Sequence, residues 1–101
     1  MKNEKDVKKN VRKVLDEYAQ DGIWYYMPAA NGYGRSGIPD FVGLYKGNFF
    51  AIETKFGTND LSTHQIREVA SIIQGGGKCW IVRDSNIHDW EFEFAAWAAL
   101  C

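Results

Sequence analysis

Apolar residues recur at intervals of three and four from Glu4 to about Gln20, at Val7, Val11, Val14, Leu15 and Tyr18. That spacing predicts an amphipathic helix. At about 100° per residue, Glu4 projects near the middle of the apolar stripe, while Lys5, Lys9 and Arg12 fall on the opposite side. An acid on the inward side is an anomaly, although an acid in the first turn also favours the helix dipole. Asp21-Gly22 ends the helix, and Ile23 to Met27 is rich in aromatic and β-branched residues, as a strand would be. The next twelve residues, PAANGYGRSGIP, hold three glycines and two prolines with Asn31 and Ser36. They form a predicted loop of a length that is often functional.

Residues 38 to 45 and 49 to 55 read as two strands joined through Lys46-Gly47-Asn48. With Gly47-Asn48 as a two-residue turn, residue 46 pairs with 49, 42 lies opposite 53 and 40 opposite 55. Asp40, Glu53 and Lys55 then share one face, because side chains alternate along a strand. A three-residue loop without a bulge would instead send Asp40 to the other face. Ser62 and Gln65 have the spacing of a capping box that opens a second helix, whose expected inward stripe is Ile66, Val69, Ala70 and Ile73. Gly75-Gly76-Gly77 closes it, and residues 78 to 82, KCWIV, form a short strand. Residues 89 to 100 suit a helix behind Ser85, Asn86 or Asp89, although the alternation of Trp90, Phe92 and Phe94 also fits a strand. The expected order is helix, strand, strand, strand, helix, strand, helix, an α/β arrangement.

The chain has 101 residues, 46% of them hydrophobic and 15% aromatic, enough for one globular domain spanning 1–101 with one core. It has no apolar leader after MKNEKDVKKN and no run of about 18 apolar residues. The expectation is a soluble, cytoplasmic protein without a membrane partner. Cys79 and Cys101 are too few and too irregular for a metal cluster, and Cys79 reads as a buried thiol. His64 and His88 belong to no nucleophile or metal spacing and read as surface residues. The net charge of −1 argues against one large basic surface. Its distribution is polar: residues 1–14 carry six basic and two acidic side chains, and residues 84–101 carry four acids and no base. Such polarity can present one end to a phosphate backbone or pair two copies head to tail, and a solvated face explains either run alone.

Three charges in the most apolar segment change the picture. Two carboxylates converging on a sheet surface repel unless a proton or a cation lies between them. Mg²⁺ or Mn²⁺ accepts such a pair, completing its shell with waters and substrate phosphates. A lysine two residues after the glutamate can hold the attacking water or offset charge on a pentavalent phosphorus. The set suits metal-assisted hydrolysis of a phosphodiester, provided that Asp40 and Glu53 do not point to opposite faces. The competing account is an ordinary Glu-Lys pair with a turn-type Asp40 after Pro39.

Pro39-Asp40, twelve residues, then Glu53-Thr54-Lys55 resembles the PD-(D/E)XK nuclease signature. The longer string GRSGIPDFVGLYKGNFFAIETKFGTNDLSTHQ is similar to the VRR-NUC branch of that superfamily, the virus-type replication-repair nucleases. The resemblance runs from Glu4 to about Val82. It implies the restriction-endonuclease-like fold, a mixed central sheet flanked by helices. It also implies Asp40 and Glu53 as metal-binding acids, the Thr54 carbonyl as a further ligand, and Lys55 as the catalytic lysine. Glu4 matches an acid on the first helix that joins the site through a metal-bound water, and Gln65 matches a glutamine opening the second core helix. Ser36 and Gly37, with Arg35 before them, match the approach to Pro-Asp, for packing or phosphate contacts.

The activity implied is a metal-dependent endonuclease, of the stand-alone bacterial or phage kind, acting on branched DNA and in particular on four-way Holliday junctions as a homodimer. Two cuts related by two-fold symmetry require two metal centres. Trp90, Phe92, Phe94 and Trp97 are candidates for the dimer contact, with core packing as the competing use. Flap, nick or duplex cleavage is the alternative within the same fold. The loop 29–37 offers only Asn31, Arg35 and Ser36 for base readout, which suits recognition of shape. A non-catalytic DNA-binding module is the alternative outside enzymology, disfavoured by the intact Asp40, Glu53 and Lys55.

Overall fold

The first apolar stripe forms helix α1, Glu4–Asp16, capped by the Asn3 side chain, which accepts from the Asp6 amide. The helix stops sooner than its periodicity suggests. A separate 3-10 turn follows at Ala19–Asp21, and Gly22 takes a left-handed conformation behind it. The remaining elements are β1 (Trp24–Tyr26), β2 (Phe41–Tyr45), β3 (Asn48–Lys55), α2 (Thr63–Gln74), β4 (Lys78–Arg83) and α3 (Ile87–Leu100). The protein is known from a computed structural model that describes residues 1–29 and 34–101. Asn31, expected in the loop before Pro39-Asp40, lies outside the described residues.

The four strands form one sheet in chain order, β1-β2-β3-β4. The first two pairings are antiparallel, whereas β3 and β4 run parallel. Parallel neighbours need a crossover, which α2 supplies. β3 is thus an inner strand, paired on both sides, with Phe50, Ala51, Ile52, Glu53 and Thr54 all buried. One face of the sheet carries the core. Phe41, Tyr45, Phe50, Ile52, Trp80 and Val82 meet Val7, Val11, Val14 and Leu15 of α1 and Ile87, Trp90, Phe94 and Ala98 of α3. The C-terminal segment is therefore a helix, and three of its aromatics pack inward: Trp90 and Phe94 are buried and Trp97 stacks edge-on against Phe50 and Trp80. Only Phe92 is left outside, 80% exposed.

The hairpin departs from the expected register. Tyr45 pairs with Asn48 and Leu44 with Phe49, so the two turn residues are Lys46 and Gly47 rather than Gly47 and Asn48. Both have positive φ, 49° and 82°. Positive φ at both central residues is the conformation that matches the strand twist, and Gly accepts it without cost. Asn48 instead turns its side-chain amide back onto the carbonyls of Tyr45 and Lys46. The shift amounts to two residues, which preserves the alternation of faces. Counted outward from Phe41↔Ile52, Asp40 comes opposite Glu53 instead of Lys55.

Helix α2 has the expected start. The Ser62 hydroxyl accepts from the Gln65 amide and the Gln65 side chain accepts from the Ser62 amide. Its inward side is not the expected one. Ile66 and Ile73 are 55% and 57% exposed, Ala70 is also exposed, and the buried residue is Glu68, flanked by the half-buried Gln65, Val69 and Ile72. A helix that covers only part of a sheet needs no continuous apolar stripe, so periodicity there misplaces the face. On the sheet side not covered by the core, Trp24, Tyr26 and Leu44 are 55%, 50% and 43% exposed.

Gly43 brings β1 and the Phe50 ring into close contact with β2. A Cβ at this position would lie 2.5 Å from the Trp24 carbonyl and 2.6 Å from the Phe50 ring. Overpacking of this kind destabilises by about 3 kcal/mol. Gly43→Ala is expected to lower the urea midpoint accordingly and to speed amide exchange first in Trp24–Tyr26; an unchanged midpoint would count against the close packing.

Candidate metal centre

The site is assembled where the start of β2, the end of β3 and the N-terminal turns of α1 and α2 converge. Asp40 follows the buried Pro39 and precedes the first residue of β2. Its Oδ2 accepts from the Thr54 amide at 2.9 Å and from the Thr54 hydroxyl at 2.6 Å. A carboxylate held from both the backbone and the side chain of one residue has little freedom to turn. Alternation along β3 sends Glu53 and Lys55 to the face away from Phe50, Ile52 and Thr54. Glu53 is only 2% exposed, and its Oε2 has no hydrogen-bond partner among the described residues.

The two carboxyl groups meet. Burial first, and then the neighbouring Asp40 carboxyl, push Glu53 up to about 9, with Lys55 opposing. Burial also pushes Asp40 upward, but hydrogen bonding with Glu53 and Thr54, helped by the Lys8 ammonium, outweighs it and holds Asp40 below its ordinary value. No bond joins the pair as two carboxylates, and a protonated Glu53 can donate to Asp40. With no cation present the pair thus shares one proton, carried by Glu53.

These donors fit a hard divalent cation. A buried carboxylate oxygen without a partner, beside a second carboxylate, is unfavourable unless a positive charge or a proton compensates it. Among the described residues no three His, Cys, Asp or Glu side chains come together as a ligand set. The protein therefore offers two carboxylates, with backbone, water and phosphate oxygens left to complete the shell, which is how Mg²⁺ is commonly held.

The other expected residues divide. Lys55 is half-buried at the end of β3, close enough to Glu53 to lower its proton affinity. The Glu4 carboxylate also reaches Glu53 electrostatically, but its close partner is Lys8, 3.6 Å from Nζ to Oε2. Lys8 reaches Asp40 Oδ1 as well, at 3.7 Å. This lysine was not singled out from the sequence, although its position four residues after Glu4 places both on one side of the helix. Gln65 is committed to the cap of α2. Arg35 is 69% exposed in its side chain and its Nε donates to Glu68 at 2.6 Å, so Glu68 is a second residue that the sequence did not flag. Ser36 is exposed and makes no hydrogen bond among the described residues.

Gly37 has a structural reason to be glycine. Its φ is 83°, and a Cβ would lie 2.5 Å from the carbonyl carbon and oxygen of His64 and 2.8 Å from the Gln65 amide nitrogen. The segment before Pro39-Asp40 is thus seated directly on the first turn of α2. Beyond β3, Arg83 donates to the carbonyls of Gly57 and Asn59, and the Asp84 carboxylate accepts from the Gly57 amide. These bonds tie the loop after Lys55 to the end of β4. Cys79, pushed up to about 11 by burial and then by Glu53, stays a thiol and offers no nucleophile.

No protein-family model matches the sequence, and no curated protein matches it either. Among solved structures, the chain is similar to Hjc of Archaeoglobus fulgidus, a Holliday junction resolvase from an archaeal hyperthermophile. The two share 21% identity with a TM-score of 0.52, over 75% of this chain and 66% of that one. The likeness is one of fold. It bears out the expected restriction-endonuclease-like arrangement, a mixed sheet flanked by helices.

The proton on Glu53 gives the metal-free protein a defined pH response. An unfolded chain loses that proton near 4.5, whereas the folded chain keeps it to about 9. Between these values the unfolded state binds fewer protons, so the contribution of Glu53 is fully present below 4.5 and is lost as pH rises through the window. Asp40 contributes in the opposite sense, only at lower pH. In EDTA, the melting temperature of the wild type is expected to fall from pH 5 to pH 9 and that of Glu53→Gln to stay nearly level and higher at pH 8; parallel curves would refute the shared proton.

Gly37→Ala is expected to unseat the approach to Asp40, by about 3 kcal/mol for overpacking with a disfavoured φ. The expected readout is faster proteolytic nicking between residues 34 and 39, and a nicking rate equal to wild type would contradict the seating on α2.

Proposed function

We propose that the chain is a divalent-metal-dependent endonuclease of the PD-(D/E)XK superfamily, related to its VRR-NUC branch, that cuts branched DNA and resolves four-way junctions. The observation that carries this reading is the buried Glu53 Oε2, unpartnered among the described residues, beside Asp40, with Lys55 two residues on. The fold likeness to a Holliday junction resolvase supports it. In this reading residues 1–101 form one nuclease domain working on intracellular DNA, in the cytoplasm of a bacterium or a phage-infected host. No helix of the described residues is long and apolar enough to cross a membrane.

Asp40 and Glu53 would hold Mg²⁺ or Mn²⁺, with the Thr54 carbonyl as a further donor. The cation, when bound, polarises a phosphoryl oxygen and lowers the pKa of a bound water. Thr54 fixes Asp40 Oδ2 and so orients the carboxylate. Lys55 positions the attacking water and offsets charge on the phosphorus as the bond to oxygen forms. Arg35, oriented by Glu68, keeps its terminal nitrogens for a DNA phosphate, and Ser36 and Gly37 bring the backbone close to it. Glu4 steadies the outer side of the centre through Lys8, and Gln65 anchors the helix start against which Gly37 packs.

Junction resolution asks for a homodimer. Because Trp90, Phe94 and Trp97 are engaged in the core, the reading moves the dimer contact from α3 to the open sheet face at Trp24, Tyr26 and Leu44. Flap, nick or duplex cleavage is the second reading, and an exposed Arg35 beside a glycine-rich loop serves either.

Cleavage of a labelled four-way junction, beside a flap and a linear duplex, separates these readings. The wild type is expected to cut the junction preferentially with Mg²⁺ or Mn²⁺ and not in EDTA. Lys55→Ala is expected to slow cutting by at least 100-fold while junction binding persists, in line with loss of a group that stabilises the transition state. Equal cutting of linear duplex would remove the junction assignment, and cutting that survives Lys55→Ala would remove the site assignment.

A further inference from the structure

Asp40 presents its two carboxylate oxygens to different surroundings. Oδ2 is held from within by the amide and hydroxyl of Thr54. Oδ1 faces the Lys8 ammonium at 3.7 Å, and the same ammonium lies 3.6 Å from Glu4 Oε2. Lys8 belongs to α1, whose inward neighbours Val7 and Val11 are fully buried, so the helix carrying it is anchored. Its own side chain is one-third exposed. Neither contact is as short as a direct hydrogen bond, and both carboxylates flank one positive charge.

We infer that Lys8 is the resident counter-ion of the centre, occupying the side of Asp40 Oδ1 that a divalent cation needs, and that it thereby sets the cation concentration at which the site fills. The inference rests on the metal-centre reading above and adds a regulating residue to it. Asp40 and Glu4 flank one ammonium at the end of the sheet, and Glu53, which keeps its proton while no cation is bound, lies beside Asp40. Without that positive charge, the repulsion between the Asp40 and Glu4 carboxylates would fall on the folded protein whenever the cation is scarce. Lys55 follows Glu53 by two residues on the same face of β3, and Lys8 faces Asp40 Oδ1 from α1. The two lysines therefore divide the work, one for each carboxylate.

The same arrangement makes the lysine a competitor. A divalent ion entering beside Asp40 meets a like charge a few ångströms away, and Glu4 is held by that charge instead of turning towards a metal-bound water. Removing a single positive charge at that range, with water-like screening, tightens a divalent ion by about tenfold.

Mn²⁺ binding to the DNA-free protein, followed by electron paramagnetic resonance of the free ion at pH 8, tests this without any cleavage assay. Lys8→Met and Lys8→Gln are expected to bind Mn²⁺ about tenfold more tightly than wild type, and Lys8→Arg, which keeps the charge, to bind like wild type. In EDTA the two neutral variants are expected to melt at a lower temperature than wild type and to gain more from added Mn²⁺. Equal Mn²⁺ affinity for Lys8→Met, Lys8→Gln and wild type, with all three folded by circular dichroism, overturns the role of Lys8 and leaves the centre intact. Failure of the wild type to bind Mn²⁺, or binding unaffected by Asp40→Asn, overturns the metal centre and this inference with it.

Discussion

Two carboxyl groups forced together at the end of a buried strand are the constraint around which this molecule is arranged. Glu53 lies in β3, where residues Phe50 to Thr54 are buried without interruption and an ionised side chain is costly without compensation. Asp40 is brought against it from the neighbouring strand and locked by Thr54. Every surrounding feature either fixes this pair or offsets its charge. Thr54 supplies donors, Lys55 and Lys8 supply positive charge, and Pro39 and Gly37 fix the path by which the chain enters.

The supporting shell comes from elements remote in sequence. Gly37 is seated on the backbone of His64 and Gln65, and Arg35 is paired with the buried Glu68, so the approach to Asp40 is set by α2. The loop after Lys55 is set by Arg83 and Asp84 at the end of β4. A stable core on the opposite side of the sheet, dense in edge-to-face aromatic contacts, gives the pair a rigid support. Burial beside Asp40 disfavours the ionised form of Glu53, so two charged carboxylates at this point would cost stability unless a positive charge compensated them.

Much of this was legible in the chain. The order of elements, the capping box at Ser62 and Gln65, the two-residue hairpin and the common sheet face of Asp40, Glu53 and Lys55 all follow from local rules: periodicity, turn chemistry and alternation. The slip in the hairpin from Gly47-Asn48 to Lys46-Gly47 did no harm, because an even shift preserves which residues share a face. The inward side of α2 and the use of the α3 aromatics were not legible. Ile66 and Ile73 are exposed although periodic, and Trp90 and Phe94 are buried although they also fit an alternating pattern.

What the sequence by itself determined is therefore the identity and spacing of the charged groups, since a Pro-Asp, an acid-x-lysine and a glycine-rich approach are contiguous in the chain and their spacing is set by covalent geometry. What only the tertiary structure decided is which distant side chains complete them. Lys8 meets Asp40 across 32 positions and Glu68 meets Arg35 across 33. Such contacts depend on how helices lie on the sheet, and no periodicity within one element encodes the packing of another against it.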